Sequence, residues 1–168
     1  MVSPPPAPFL LLATVLWVSC GWEDAAEGSA PALFVDGAQE ADLQFTHFNG
    51  MSGDYYLAEI MGSGGALFDF DDDGDLDVYL VQGRMLDPSR DEEEALLPLP
   101  AGHAVGDRLF RNELRGEVDE GDLRFEDVTD ISGIVADGYG MGVAAGDYDE
   151  DGRVDLYVTN LGANQLWH

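Results

Sequence analysis

The sequence predicts an all-β fold built from blades of four short antiparallel strands, the unit of a β-propeller, with about one and a half to two blades in this chain. Three observations predict it. The chain repeats itself: LQFTHFNGMSG at 43–53 aligns with LRFEDVTDISG at 123–133, and GSGGALFDFDDDGDLDVYLVQ at 62–82 aligns with GMGVAAGDYDEDGRVDLYVTN at 140–160. Each copy carries a β-branched and aromatic run directly after an acidic loop, Val78–Val81 and Leu156–Thr159. No convincing helical period is present between 41 and 168.

The chain begins with an expected signal peptide over residues 1–20. Its apolar run, Phe9 to Val18, is ten residues long, too short to span a bilayer and right for the apolar region of a signal. The preceding segment is atypical, with Pro4, Pro5 and Pro6 and no Lys or Arg. Cys20 is the single cysteine, so no intrachain disulfide can form. Its setting, LWVSC, resembles a bacterial lipobox, with Trp17 where Leu is usual. Lipidation of Cys20 and simple cleavage nearby are the two readings. Residues 21–40, rich in Ala, Gly and acids, read as a linker.

Residues 41–168 hold the repeats. The first strand of each copy is small-residue rich: Gly64, Gly65 and Ala66, or Gly142, Ala144 and Ala145. Innermost strands of a propeller crowd a central channel, where large side chains do not fit. The second strand is the apolar run after the acidic loop. The third is RLFRNEL at 108–114, and DRLFRN at 107–112 aligns with NQLWH at 164–168. The fourth, LRFEDVT at 123–129, alternates apolar and polar residues. The first copy also carries an insertion at 84–106, where Pro88, Pro98 and Pro100 argue for a loop. Its acidic run Asp91–Glu94 reads as a solvated face. By this alignment the chain holds the last strand of one blade, one full blade and half of the next. A closed propeller takes at least about four blades, so the expectation is a fragment of a longer product.

Charge narrows the function. There are 34 acidic residues against 7 basic ones, a net charge of −27, with hydrophobic content of 45% that suits a globular chain. Every basic residue is Arg. Such a surface repels phosphate backbones, which argues against nucleic-acid binding. A multivalent cation or a basic partner is its natural complement.

The acidic loops share one spacing, D-x-D-x-D-G-x-x-D: Asp69, Asp71, Asp73, Gly74 and Asp77 in the first, Asp147, Asp149, Asp151, Gly152 and Asp155 in the second. Alternate carboxylates converge when a short loop curls around a point, and the sixth-position glycine permits the sharp turn. Ca²⁺ suits such a set, because it takes six to eight hard oxygens in flexible geometry. Mg²⁺ demands a tight octahedron, and Zn²⁺ prefers His or Cys, which the loops lack. An EF-hand would place Glu at position twelve, where Leu80 and Val158 stand instead. The expected ligands are therefore the side chains at positions one, three, five and nine, with Asp77 or Asp155 bidentate. The backbone carbonyl at position seven, Asp75 or Arg153, completes each set. Two Ca²⁺ sites follow. The side chains of Asp72, Asp75 and Glu150 are expected to face solvent.

These residues resemble the FG-GAP/VCBS repeat, the calcium-loop blade unit of integrin-α-type propellers. The stretches YYLAEIMGSGGALFDFDDDGDLDVYLVQG, LFRNEL, LRFEDVTDISGI and GYGMGVAAGDYDEDGRVDLYVTNLGANQLW are similar to the N-terminal part of the ASPIC/UnbV-type, cartilage-acidic-protein-like family. The resemblance covers about residues 43–168. It implies a propeller of roughly seven blades, often followed by an ASPIC/UnbV domain, in exported proteins whose biochemical activity is mostly unassigned.

The expected function is an exported calcium-binding repeat protein, a surface or periplasmic interaction module for a protein or glycan ligand. Its location is extracytoplasmic: periplasm, outer-membrane lipoprotein or secreted. Membrane contact is expected only through a lipid on Cys20. The alternative is an enzyme with a site on the propeller channel face, using His47, Asp127 or Glu59 as acid or base and completed by sequence beyond this chain. No nucleophile elbow or zinc-hydrolase motif supports it. A third reading, an adhesin whose ion bridges to a ligand carboxylate, ranks lower, because four side-chain ligands leave the ion little room.

Overall fold

The computed structural model describes residues 33–114 and 123–168. The expected signal segment 1–20, its Cys20 and the linker up to residue 32 lie outside the described residues. Leu33, Phe34 and Val35 belong to a separate N-terminal unit and are exposed. Residues 36–168 make up the second unit.

That unit is mostly β, in two antiparallel sheets. The first holds β1 (Gly65–Phe68), β2 (Asp77–Leu80), β3 (Arg108–Asn112) and β4 (Phe125–Asp127), side by side in chain order. The second holds β5 (Gly140–Gly146), β6 (Asp155–Asn160) and β7 (Gln165–Trp167), again in chain order. No closed propeller or barrel forms among the described residues.

The sequence repeat is also a register repeat. Ala66 lies opposite Tyr79 and Phe68 opposite Asp77. Their aligned residues pair the same way, Ala144 with Tyr157 and Gly146 with Asp155. Tyr79 then faces Leu109, as Tyr157 faces Leu166. The acidic loops are the β1–β2 and β5–β6 connections, at one end of their sheets.

The two sheets pack with different faces. Sheet one contributes Ala66, Phe68, Tyr79, Val81 and Leu109; sheet two contributes Val143, Leu156, Val158 and Trp167. Tyr79, Leu109 and Val158 are fully enclosed. Burying a large apolar side chain contributes about 1.5–3 kcal/mol, so this seam holds the unit together. The first strands approach closely there. A Cβ on Gly64 would lie 3.1 Å from the Gly142 Cα, which accounts for the small residues seen in both copies.

The other end of each sheet carries a second repeated device. The Tyr79 hydroxyl donates to Asp107 Oδ2 at 2.7 Å, and the Gln82 amide donates to Asp107 Oδ1 at 2.7 Å. In sheet two, Asn164 Nδ2 donates to the Tyr157 hydroxyl at 2.7 Å, and the Asn160 amide donates to Asn164 Oδ1 at 3.0 Å. Aspartate in one copy and asparagine in the other thus tie the start of the third strand to the end of the second. Burial holds the Asp107 carboxyl above its usual range, against the opposing pull of Tyr79, the Gln82 amide and two arginines.

Several local expectations differ from the structure. Residues 43–53, aligned with the β4 region, form no strand; Phe48 is buried beside Met85 and Ala95 of the insertion. Gln82 fixes that segment, accepting from the Phe48 amide and donating to the Thr46 carbonyl. Two single helical turns occur, α1 (Ala58–Met61) and α2 (Thr129–Ser132), with a 3₁₀ turn at Glu92–Glu94 inside the insertion. Four residues are too few to show a helical period.

Leu109→Ala is expected to cost about 2–5 kcal/mol in urea unfolding, as a fully buried leucine does. Leu166→Ala, at the aligned but half-exposed position, is expected to cost less than about 1 kcal/mol. Asp107→Asn, which installs the amide of the second copy, is expected to stabilise the fold at neutral pH. A raised carboxyl penalises folding above its folded pKa and regains that loss as pH falls through it. The advantage of the variant over wild type should therefore shrink as pH drops, read as the difference in unfolding midpoint at each pH.

Candidate metal centre

Both acidic loops are closed by backbone N–H groups donating to their own carboxylates, in one pattern. Asp69 Oδ1 accepts from the Asp73 amide at 3.1 Å and Oδ2 from the Gly74 amide at 2.9 Å. Asp147 accepts from Asp151 and Gly152 at the same two distances. The fifth-position carboxylate accepts from the seventh-position amide, Asp73 from Asp75 at 3.0 Å and Asp151 from Arg153 at 2.8 Å. The ninth-position carboxylate reaches back to the second-position amide, Asp77 to Phe70 and Asp155 to Tyr148, each at 2.6 Å. The backbone turns coincide as well. Gly74 and Gly152 have φ of 95° and 92°, and the fourth-position residues Asp72 and Glu150 have φ of 60° and 61°. A left-handed non-glycine residue is uncommon, and here it recurs at one loop position.

Some expected ligands are gathered and others are held apart. Asp69, Asp71 and Asp77 each offer an oxygen within 4.8 Å of the others, as do Asp147, Asp149 and Asp151. Such groups could hold a metal ion, and exposed acidic groups are also common without one. A third group brings Asp149 and Asp155 together with His168, and Asp73 falls outside all three. Asp72 and Glu150 are exposed, and Asp75 is half-buried.

The ninth-position aspartates are structural as well as acidic. Asp77 is fully buried, and its second oxygen accepts from the Asn112 amide of β3 at 2.7 Å. Burial pushes its carboxyl up, partly offset by the Asn112 and Phe70 N–H groups, with Asp71 and Asp73 adding to the rise. Asp155 is displaced the other way. The Tyr148 N–H comes first, and the His168 ring second, in holding its carboxyl down. His168 Nδ1 lies 2.9 Å from Asp155 Oδ1 and 3.7 Å from Asp149 Oδ2. The bond to Asp155 and the field of Asp149 raise the imidazole.

His168 and Arg111 each follow the aligned aromatics Trp167 and Phe110. Arg111 binds Glu113 and Glu126 and also feels Asp71. Each copy thus places a basic side chain, Arg111 or His168, near its third-position aspartate. The sequence reading missed this, because the partner comes from the third strand and is far away in the chain. It also missed a cavity of about 300 Å³ between the two loops, lined by Asp69, Asp72, Arg153 and Trp167. The Trp167 indole N–H is buried there with no partner among the described residues.

The proposed acid–base residues are engaged locally. Glu59 is buried and accepts from the Ser52 amide and hydroxyl. Asp127 accepts from the Thr129 amide and hydroxyl and lies 3.7 Å from Arg108. His47 is exposed, and no hydrogen bond joins the three among the described residues. None of the described helices is long and apolar enough to cross a membrane. Compared with protein-family models, with curated proteins and with solved structures, the chain matches none.

The Asp155–His168 pair gives a pH test. A depressed carboxyl contributes stability above its unfolded value and loses it as pH falls through the folded one. A raised imidazole contributes stability below about 6.5 and loses it as pH rises through its folded value. The pair should therefore hold between those two folded values. In NMR titration His168 should titrate above the ordinary histidine value, and Asp155→Asn should bring it back down.

Proposed function

We propose that the chain is a calcium-binding repeat protein of the FG-GAP/VCBS propeller type, an exported interaction module whose loops are stiffened by Ca²⁺. The observation that carries this is the recurrence of four N–H to carboxylate bonds at matching positions of the two acidic loops. A solvated acidic turn has no reason to keep the same N–H donors, the same two left-handed residues and the same spacing twice. A loop shaped for a ligand does. Asp69, Asp71, Asp73 and Asp77 would hold one ion with the Asp75 carbonyl. Asp147, Asp149, Asp151 and Asp155 would hold the other with the Arg153 carbonyl. The ions would offset local repulsion in a chain of net charge −27 and stabilise the strand pairs that the loops join.

The four-stranded antiparallel sheet, with its small-residue first strand facing that of the next sheet, supports the blade reading. The partner on this reading is a protein or glycan bound outside the cytoplasm.

Calcium titration of the chain should show two ions bound, with Mg²⁺ a poor competitor. At free Ca²⁺ a hundredfold above Kd, each site should add about 2.7 kcal/mol to stability. The double variant Asp71→Ala, Asp149→Ala should lose that gain in Ca²⁺ and match wild type in chelator. Equal losses in both media would overturn the metal reading.

A further inference from the structure

We infer that the cavity at the end of sheet one away from its acidic loop is a binding site for a neutral saccharide of more than one sugar unit. The inference deepens the interaction-module part of the proposed function and rests on it, but not on its calcium part.

The cavity has a volume of about 580 Å³, within the ~300–1,000 Å³ of small-molecule sites. Its lining includes Gln44, Thr46, His103, Arg108, Asp127 and Asp130, with Phe45 as the aromatic member. Both walls are held by packing. Gln82 is 1% exposed and bonds to the Thr46 carbonyl and the Phe48 amide, which pins one wall. The other wall is the insertion, where Leu99 and Val105, on either side of His103, pack against the Phe48 cluster. A second recess of about 460 Å³ shares Gln44, Phe45 and His103 with the first and adds Asp36, Gln39 and Glu40. The two are contiguous, so the site is longer than one sugar ring.

The polar groups that line the cavity are free to take a ligand. The Arg108 side chain is only 16% exposed, yet its guanidinium makes no hydrogen bond among the described residues. Its Nε lies 3.7 Å from Asp127 Oδ2, beyond hydrogen-bond range. The side chains of Gln44, Thr46, His103 and Asp130 make no hydrogen bond among the described residues either. Largely buried polar groups normally have partners. The aligned position in the second copy does: Gln165 donates to the Val135 carbonyl at 2.9 Å and accepts from Asn160 Nδ2 at 3.3 Å. The position is thus satisfied within the fold in one copy. It is left open in the other, where the insertion adds His103.

The mixture of donors and acceptors selects the ligand. Arg108 only donates, and ionised Asp127 and Asp130 only accept. An anion would suit Arg108 but would meet both aspartates, Asp36 and Glu40, in a chain of net charge −27. A cation would leave Arg108 unmatched. A hydroxyl group both donates and accepts, so a chain of hydroxyls can answer Arg108 and the aspartates in one recess without carrying charge. Phe45, half-buried, adds an apolar surface for the C–H face of a sugar ring.

The test is saturation-transfer NMR on the full chain with maltotriose, cellotriose and tri-N-acetylchitotriose as neutral probes. Trigalacturonic acid, chitosan trimer and diglycine serve as anionic, cationic and zwitterionic controls. At least one neutral trimer should bind, and more tightly than any control. Arg108→Gln, which installs the residue of the second copy, should weaken that binding about tenfold or more, and His103→Ala severalfold. Circular dichroism and the calcium count check that each variant still folds. Failure of every neutral trimer to bind would overturn the inference, and two ions bound in that same sample would leave the calcium reading standing. Tighter binding of a control would overturn it too, as would variants that bind like wild type. A trimer bound by a chain that takes up no Ca²⁺ would support this site and count against the calcium reading alone.

Discussion

A buried carboxylate anchors each acidic loop to its sheet. Asp77 begins β2 with no exposure, takes the Phe70 N–H on one oxygen and the Asn112 N–H on the other, and so joins the loop, β2 and β3 at one point. Two backbone donors at the neck of a tight turn would otherwise be left without partners in a buried site, which costs about 1–3 kcal/mol each. Asp155 does the same for the second loop, with Tyr148 as one partner and His168 as the other. The apolar run that follows each loop starts its strand at this junction. The positions of the remaining loop carboxylates follow from it.

The same junction explains how so much like charge is tolerated. The expectation from sequence is that clustered aspartates need a cation. The structure supplies part of that compensation itself, since the first, fifth and ninth carboxylates of each loop all accept backbone N–H groups. The Arg111 guanidinium adds to this in the first copy, and in the second the His168 ring bonds to Asp155. A hydrogen-bonded carboxylate still has lone pairs to offer a metal. The loop's shape is therefore set by its own backbone, and an ion, on the proposed reading, would tighten a turn that already exists.

Strand order and loop position were legible in the sequence because both depend on local pattern. Glycine, acid spacing and β-branched runs mark β1, β2, β5 and β6, and a self-alignment exposes their repetition. What stayed hidden depends on contacts between distant residues. The Tyr79–Asp107 and Tyr157–Asn164 bonds pair positions whose separation differs between the copies because of the insertion, so no single offset reveals them. Residues 43–53 align with the β4 region, yet the insertion gives Phe48 a different place to bury itself, and packing prevails over likeness. His168 as a partner of Asp155 could not be read from spacing, because its place is set by the register of β7 against β6.

The two copies keep their shared bonds and differ in bulk. Tyrosine, the third-strand Asp or Asn, the loop aspartates and the left-handed turns recur, whereas Phe68 becomes Gly146 and Leu67 becomes Ala145. Hydrogen bonds fix geometry to within tenths of an ångström and so tolerate little change. Apolar faces tolerate a change of side chain provided the facing surface compensates in volume. The interior seam between the sheets obeys this rule, with enclosed side chains on both sides.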